Sequence, residues 1–151
     1  MTIKAKYSNK EIKVSKKNIE NYCKASQPTI VFSFKKLVQN KEYNFCYFDK
    51  YKSEINSLYR LQQRLTTLSQ QTFEQVYCLP REKGFEIEDL SMIKDIKLYN
   101  ELREKMAPDQ KIYIIRFDDE KNSRLIGCRG RKCSRVFNIL ALDFGSQAYP
   151  H

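Results

Sequence analysis

The chain has 151 residues, about the size of one domain, and 41% of them are hydrophobic and 13% aromatic. This composition supports a packed core and argues against a disordered protein. Lys and Arg outnumber Asp and Glu by 28 to 18, and the net charge of +10 favours a polyanionic or acidic partner. We expect nucleic acid first and an acidic protein second.

The chain shows no secretory or membrane-spanning pattern. Its first residues are basic but lack the continuous apolar run of a signal peptide, and no later run reaches the length needed to cross a bilayer. We therefore expect a cytoplasmic protein without membrane contact. P-loop, dinucleotide-binding, GxSxG and HExxH patterns are also missing from the sequence, which disfavours nucleotide-driven chemistry.

Five cysteines are present, an odd number without metal-site spacing: Cys23, Cys46, Cys78, Cys128 and Cys133. We interpret them mainly as reduced, small core residues. Two alternatives are that Cys128 and Cys133 pair across a hairpin or that they join a zinc site. Zinc needs four ligands, and the single histidine leaves too few, so we expect no metal and no cofactor.

Residues 1–48 predict an N-terminal helix followed by a pair of strands. A good N-cap residue, Ser15, opens an amphipathic stretch over residues 15–24, and Pro28 prevents its continuation. Two β-prone runs, 29–34 and 43–48, flank a polar segment. They indicate a hairpin or two adjacent strands.

Residues 53–106 predict a helical segment. Leucine and isoleucine recur at spacings of three and four from Ile55 to Leu68, and Ser53 is a suitable cap for this helix. The sequence T-F-E-Q at Thr72 has the capping-box pattern, so we expect the helix to break near residue 69 and restart. Pro80 and Gly84 end it. A further amphipathic helix is expected over about 89–106.

Residues 111–151 predict a three-stranded meander. Three apolar runs, 112–117, 124–128 and 136–143, are separated by short polar segments. The sequence as a whole predicts a single α+β domain over residues 1–151. In this domain the helices pack on one face of a mainly antiparallel twisted sheet that ends in the C-terminal meander.

The meander is strongly basic, since residues 121–135 contain six basic residues and no acidic one. We expect most of the four cations around the second turn to be exposed and to contact phosphates: Arg129, Arg131, Lys132 and Arg135. The alternative is a solvated hairpin whose charges protect an edge strand. Arg124 lies at or inside a strand, where it either acts on a phosphate or forms a salt bridge, for instance to Asp143.

The C-terminus carries two further candidates. His151 has an unperturbed pKa near neutrality, which suits proton transfer, although a terminal histidine can also be a frayed end. Tyr149 is either a packing aromatic or a group that stacks on a base and donates a hydrogen bond.

A strand Arg-Leu-Ile-Gly, a basic turn, an apolar strand and a terminal Tyr-Pro-His together resemble the last three strands of the RelE/YoeB/HigB-like toxins. These bacterial toxin–antitoxin ribonucleases have an α+β fold and cut mRNA, mostly on the ribosome, without a metal. The resemblance covers residues 112–151. It implies that Arg124 stabilises the scissile phosphate, that His151 carries a proton, and, less directly, that Tyr149 corresponds to a C-terminal tyrosine.

The resemblance thus implies a metal-independent endoribonuclease acting on mRNA, with the ribosome as the expected place of cleavage. Arg124 and Arg116 would hold the phosphate, His151 would transfer a proton and Tyr149 would position the base. Glu74 and Glu86 are candidates for the general base, without a motif for either. The alternative is a non-catalytic basic module that binds nucleic acid or an acidic protein, such as an antitoxin, a host-defence component or a phage-encoded factor.

Overall fold

A computed structural model describes residues 28–149, and the predicted helix over 15–24 lies outside them. Its five strands are β1 (Val31–Ser33), β2 (Glu86–Glu88), β3 (Ile112–Asp118), β4 (Ser123–Arg129) and β5 (Val136–Asp143). Its described α-helices are α1 (Tyr47–Lys50), α2 (Asn56–Leu68), α3 (Phe73–Tyr77) and α4 (Ile96–Lys105). Short 3-10 turns occupy Lys41–Tyr43, Lys52–Glu54 and Leu90–Met92.

The strands form one sheet in the order β1-β5-β4-β3-β2. The pairs β2–β3, β3–β4 and β4–β5 are antiparallel, and β1 is parallel to β5. The α+β class, the mainly antiparallel sheet and the C-terminal meander are therefore confirmed. Because β1 and β5 are far apart in the chain, their pairing brings residues near 33 beside residues near 138.

Alternate residues of the central strands enter two apolar clusters. Ile115 and Phe117 of β3 share the first cluster with side chains of α2 and α3. Ile112 and Ile114 share the second with Leu98 of α4. Such alternation is what a strand with both faces covered requires. Side chains of α2 and α3 thus belong to one cluster and side chains of α4 to the other.

A glycine in β4 allows two strands to approach closely. A Cβ atom at Gly127 would lie 2.0 Å from a ring carbon of Phe137 and 2.6 Å from the Asn138 carbonyl oxygen. The register between β4 and β5 also shifts between Ile126 and Gly127. The absence of a side chain at this position therefore lets the Phe137 ring lie against the β4 backbone.

Helix boundaries agree with the sequence in part. The capping box at Thr72 is present, with both reciprocal hydrogen bonds to Gln75, and it begins α3 as predicted. Ser53 is not a cap, because it lies in a 3-10 turn and α2 begins at Asn56. The expected helix over 89–106 is shorter, since Asp95 caps α4 through the amides of Lys97 and Leu98.

One predicted strand is absent, and one strand was not predicted. Residues 43–48 do not form a strand: they run from the end of a 3-10 turn into the start of α1, and Tyr43 and Tyr47 of this segment are buried in the core. The short edge strand β2 was not predicted, because Glu86 and Glu88 give it no apolar alternation. None of the described helices is both long enough and apolar enough to cross a membrane.

Candidate nucleic-acid interface

The strand arginines are brought together at the centre of the sheet. Arg116 of β3 lies opposite Arg124 of β4, and Arg124 lies opposite Asp143 of β5. Directly paired residues in a sheet point to the same face, so these three side chains share one side. Arg124 is 2% exposed, and its guanidinium carbon lies 4.8 Å from the centre of the Tyr149 ring. It also donates a hydrogen bond of 3.2 Å to the Tyr149 carbonyl oxygen.

Carboxylates balance these arginines. Glu86 accepts from Arg116 Nε at 3.1 Å and from Arg81 Nη2 at 2.8 Å. The Tyr149 hydroxyl donates to Glu88 Oε1 at 3.1 Å. We call the following six residues, three arginines and three carboxylates, the central cluster: Arg81, Glu86, Glu88, Arg116, Arg124 and Asp143. Because its formal charges cancel, this cluster has little excess positive charge to offer a phosphate.

The pKa shifts in the central cluster are those of a structural network. Burial raises the pKa of Glu86, but the hydrogen bonds from Arg81 and Arg116 outweigh it, so the pKa lies below its usual value. A general base works best with a pKa near neutrality, so this lowering argues against Glu86 as the base. Burial, together with the hydrogen bond to Glu88, raises the pKa of Tyr149. Its hydroxyl therefore stays protonated at neutral pH.

The other candidate base is at the surface. Glu74 is exposed, and hydrogen bonds from its own amide and from the Thr72 side chain lower its pKa. One carboxylate oxygen lies 3.8 Å from Arg129 Nη2. Glu74 thus lies in the first turn of α3. His151, the predicted proton carrier, lies outside residues 28–149.

Two of the four turn cations have structural contacts. The Arg129 guanidinium lies 4.2 Å from the centre of the Phe73 ring, and its Nε donates to the Ser134 carbonyl oxygen at 2.6 Å. Arg135 is 8% exposed and donates to the Thr29 carbonyl oxygen at 3.3 Å. We expected most of the four turn cations to be exposed, but only Arg131 and Lys132 are, and Arg135 is buried where β1 pairs with β5.

The other two turn cations line an open groove. Arg131 and Lys132 are exposed and line a groove of about 580 Å³ together with Lys35 and Lys36, which follow β1. Val136 and Asn138 of β5 are also among its walls. We call the site formed by Lys35, Lys36, Arg131 and Lys132 the basic groove.

Charge in the basic groove is not balanced as it is in the central cluster. None of the described residues that line it is acidic. Asp109 lies 3.7 Å from Arg131 Nη1, at the surface, where a single exposed ion pair is weak. Lys36 donates to the Lys105 carbonyl oxygen at 3.1 Å, at the end of α4, which fixes one side of the groove.

Sequence reasoning found Arg131 and Lys132 but missed Lys35 and Lys36. The signal was present, since two consecutive lysines directly follow a β-prone run. Their place beside the second turn depends on the pairing of Ser33 with Asn138, a contact between residues about a hundred positions apart. Local sequence pattern carries no information on that pairing.

Comparison of the chain with protein-family models, with curated proteins and with solved structures gives no match. Among residues 28–149, no three His, Cys, Asp or Glu side chains form a group that could hold a metal ion. Cys128 is a free, buried thiol, so it does not pair with Cys133, whereas Cys133 is disulfide-bonded, contrary to the expectation of reduced cysteines. Cys46 and Cys78 are exposed, contrary to the expectation of core cysteines.

Proposed function

We propose that the protein binds RNA through the basic groove. The observation that carries this proposal is the convergence of four cations, from two distant segments of the chain, on one open groove. Lysine and arginine side chains held along a groove follow a phosphate backbone, and each contact releases counterions from the nucleic acid. The net charge of +10 adds long-range attraction for a polyanion.

The test compares two triple variants that remove equal charge. The first changes Lys35, Arg131 and Lys132 to Gln, which leaves Lys36 and its contact with α4 intact. The control changes three exposed lysines elsewhere to Gln, namely Lys52, Lys94 and Lys97. We expect the groove variant to bind a fluorescent oligouridine much more weakly than the control variant, as measured by anisotropy. Equal affinity of the two variants would contradict a role for the groove.

A second candidate function is metal-independent cleavage of mRNA. It is favoured by the juxtaposition of Arg116, Arg124 and Tyr149, the three predicted catalytic residues that fall within the described part of the chain. In this reaction the ribose 2′-OH attacks the adjacent phosphate as a base accepts its proton, the P–O5′ bond breaks, and an acid protonates the departing 5′ oxygen. The burial of Arg124 and the balanced charge of the central cluster make this function the weaker of the two.

Cleavage has its own test. Purified protein is incubated with RNA and with translating ribosomes in EDTA, and new 5′ ends are mapped. Tyr149→Phe is the informative variant, because it keeps the ring over Arg124 and removes the hydroxyl. New ends that the wild type produces and Tyr149→Phe does not would support cleavage at this site. Salt-sensitive binding without new ends would support the binding function alone.

A further inference from the structure

An exposed pair of aromatic rings lies at the end of β1, where the chain continues into two of the groove lysines. Phe34 is 41% exposed and Phe45 is 43% exposed, and their ring centres are 5.7 Å apart with an angle of 47° between the planes. Large apolar side chains that are exposed together often mark a binding surface. We call Phe34 and Phe45 the aromatic pair.

The chain connects the aromatic pair directly to the groove. Phe34 immediately precedes Lys35 and Lys36, two of the four groove cations. Consecutive Cα atoms are about 3.8 Å apart, so the ring of Phe34 and the phosphate-binding lysines start from neighbouring backbone positions. The turn that holds them is fixed, since the Leu37 amide donates to the Phe34 carbonyl oxygen at 3.0 Å and the Lys35 amide to Ser33 Oγ at 3.3 Å.

The combination of aromatic rings with a cationic groove selects among nucleic acids. In a duplex the bases are stacked on one another and their faces are covered, so a duplex offers such a surface mainly its phosphates. A single strand offers both phosphates and free base faces. Stacking of a base on an aromatic side chain tolerates any sequence, because every base has a π-face.

We propose that the aromatic pair is a base-stacking platform and that the ligand of the basic groove is single-stranded RNA. This proposal rests on RNA binding by the groove and adds the strandedness of the ligand. The groove would hold the backbone through charge, and Phe34 and Phe45 would bind one or two unpaired bases beside it.

The test replaces both rings by leucine, which keeps apolar surface and removes the π-face. We expect Phe34→Leu with Phe45→Leu to weaken oligouridine binding by on the order of tenfold. The salt dependence should not change, since no phosphate contact is lost. Affinity for a duplex RNA of the same length should also stay the same. Tyr59→Leu, at an exposed aromatic of α2, is the matched control. Urea unfolding of each variant identifies any loss of folded protein.

Each outcome has a distinct meaning. If the leucine variant binds oligouridine as tightly as the wild type, while the groove variant does not, the platform is refuted and RNA binding by the groove stands. If single-strand and duplex affinities fall equally, the rings do not select unpaired bases and the platform is again refuted. If neither variant affects binding, both the platform and the proposed function fail.

Discussion

At the scale of single residues, burial decides which arginines are available for a ligand. Arg124 is 2% exposed and packs under Tyr149, whereas the side chain of Arg131 is 66% exposed. Both were candidates for phosphate contact in the sequence. A guanidinium that is buried among partners already makes the contacts that a phosphate would offer, so Arg131 is the better ligand residue.

Arg124 should therefore matter for stability. Its removal takes a positive charge away from buried Asp143 and leaves the space under Tyr149 empty. We expect Arg124→Ala to lower the free energy of unfolding by about 3 kcal/mol in urea denaturation. Arg131→Ala, at the surface, should change it by less than about 0.5 kcal/mol. Equal small effects would show that Arg124 has no structural role.

Glu86 should make stability depend on pH in the acid range. Its pKa is lowered in the folded protein, so its contribution is complete above the unfolded-state pKa, about 4.3. That contribution is lost as the pH falls through the lower folded-state pKa. We expect the difference in unfolding free energy between wild type and Glu86→Gln to be constant above about pH 5 and to shrink below about pH 4. A difference that grows on acidification would contradict the lowered pKa.

At the scale of elements, Asp95 at the start of α4 both caps the helix and binds the buried Tyr43 hydroxyl. Asp95 Oδ1 accepts from the amides of Lys97 and Leu98, each at 2.9 Å, and Oδ2 accepts from the Tyr43 hydroxyl at 2.9 Å. The same carboxylate thus begins the helix and holds the loop before α1 against it. These bonds lower the pKa of Asp95 despite its burial, which alone would raise it.

Loss of this cap should destabilise the protein measurably. We expect Asp95→Ala to lower the free energy of unfolding by about 1–2 kcal/mol, because two amides and the Tyr43 hydroxyl lose their acceptor. Asp95→Asn keeps a side-chain oxygen for the amides and should cost less. Thermal or urea unfolding of the two variants checks this order. A more stable Asp95→Ala than Asp95→Asn would contradict the capping role.

Elements with strong local patterns were predictable from the sequence, and elements defined by distant contacts were not. The meander and the capping box at Thr72 follow from local signals and are confirmed. The strand β2 was missed because its Glu86 is buried by ion pairing with arginines, which a hydrophobic pattern cannot show. The predicted strand over residues 43–48 was wrong, because aromatic residues favour a strand only where a neighbouring strand pairs with it.

The candidate site shows the same division. Arg131 and Lys132 were found because they crowd a turn that carries no acid. Lys35 and Lys36 were not, because the parallel pairing of β1 with β5 brings them beside that turn. The burial of Arg124 also depends on Tyr149, which lies 25 residues further along the chain, after the end of β5.

At the scale of the whole molecule, charge is divided between two places with different roles. The central cluster contains three arginines and three carboxylates, so its formal charges are compensated within the protein. Glu86, Arg124 and Asp143 are buried, whereas Arg81 is exposed. The basic groove keeps four cations at an open surface. The net charge of +10 then acts on a polyanion mainly through exposed cations. Four cations lie close together in the groove.

The salt dependence of RNA binding tests this account most directly. Oligouridine affinity is measured over a series of salt concentrations for wild type, for the groove variant (Lys35, Arg131 and Lys132 to Gln) and for the control variant (Lys52, Lys94 and Lys97 to Gln). Each lost phosphate contact should reduce the slope of log affinity against log salt by about 0.7 for a single strand. We expect the groove variant to lose about 2 units of slope through its three cations, and the control variant to keep the wild-type slope. Identical slopes for the groove variant and the wild type would contradict phosphate binding in the basic groove.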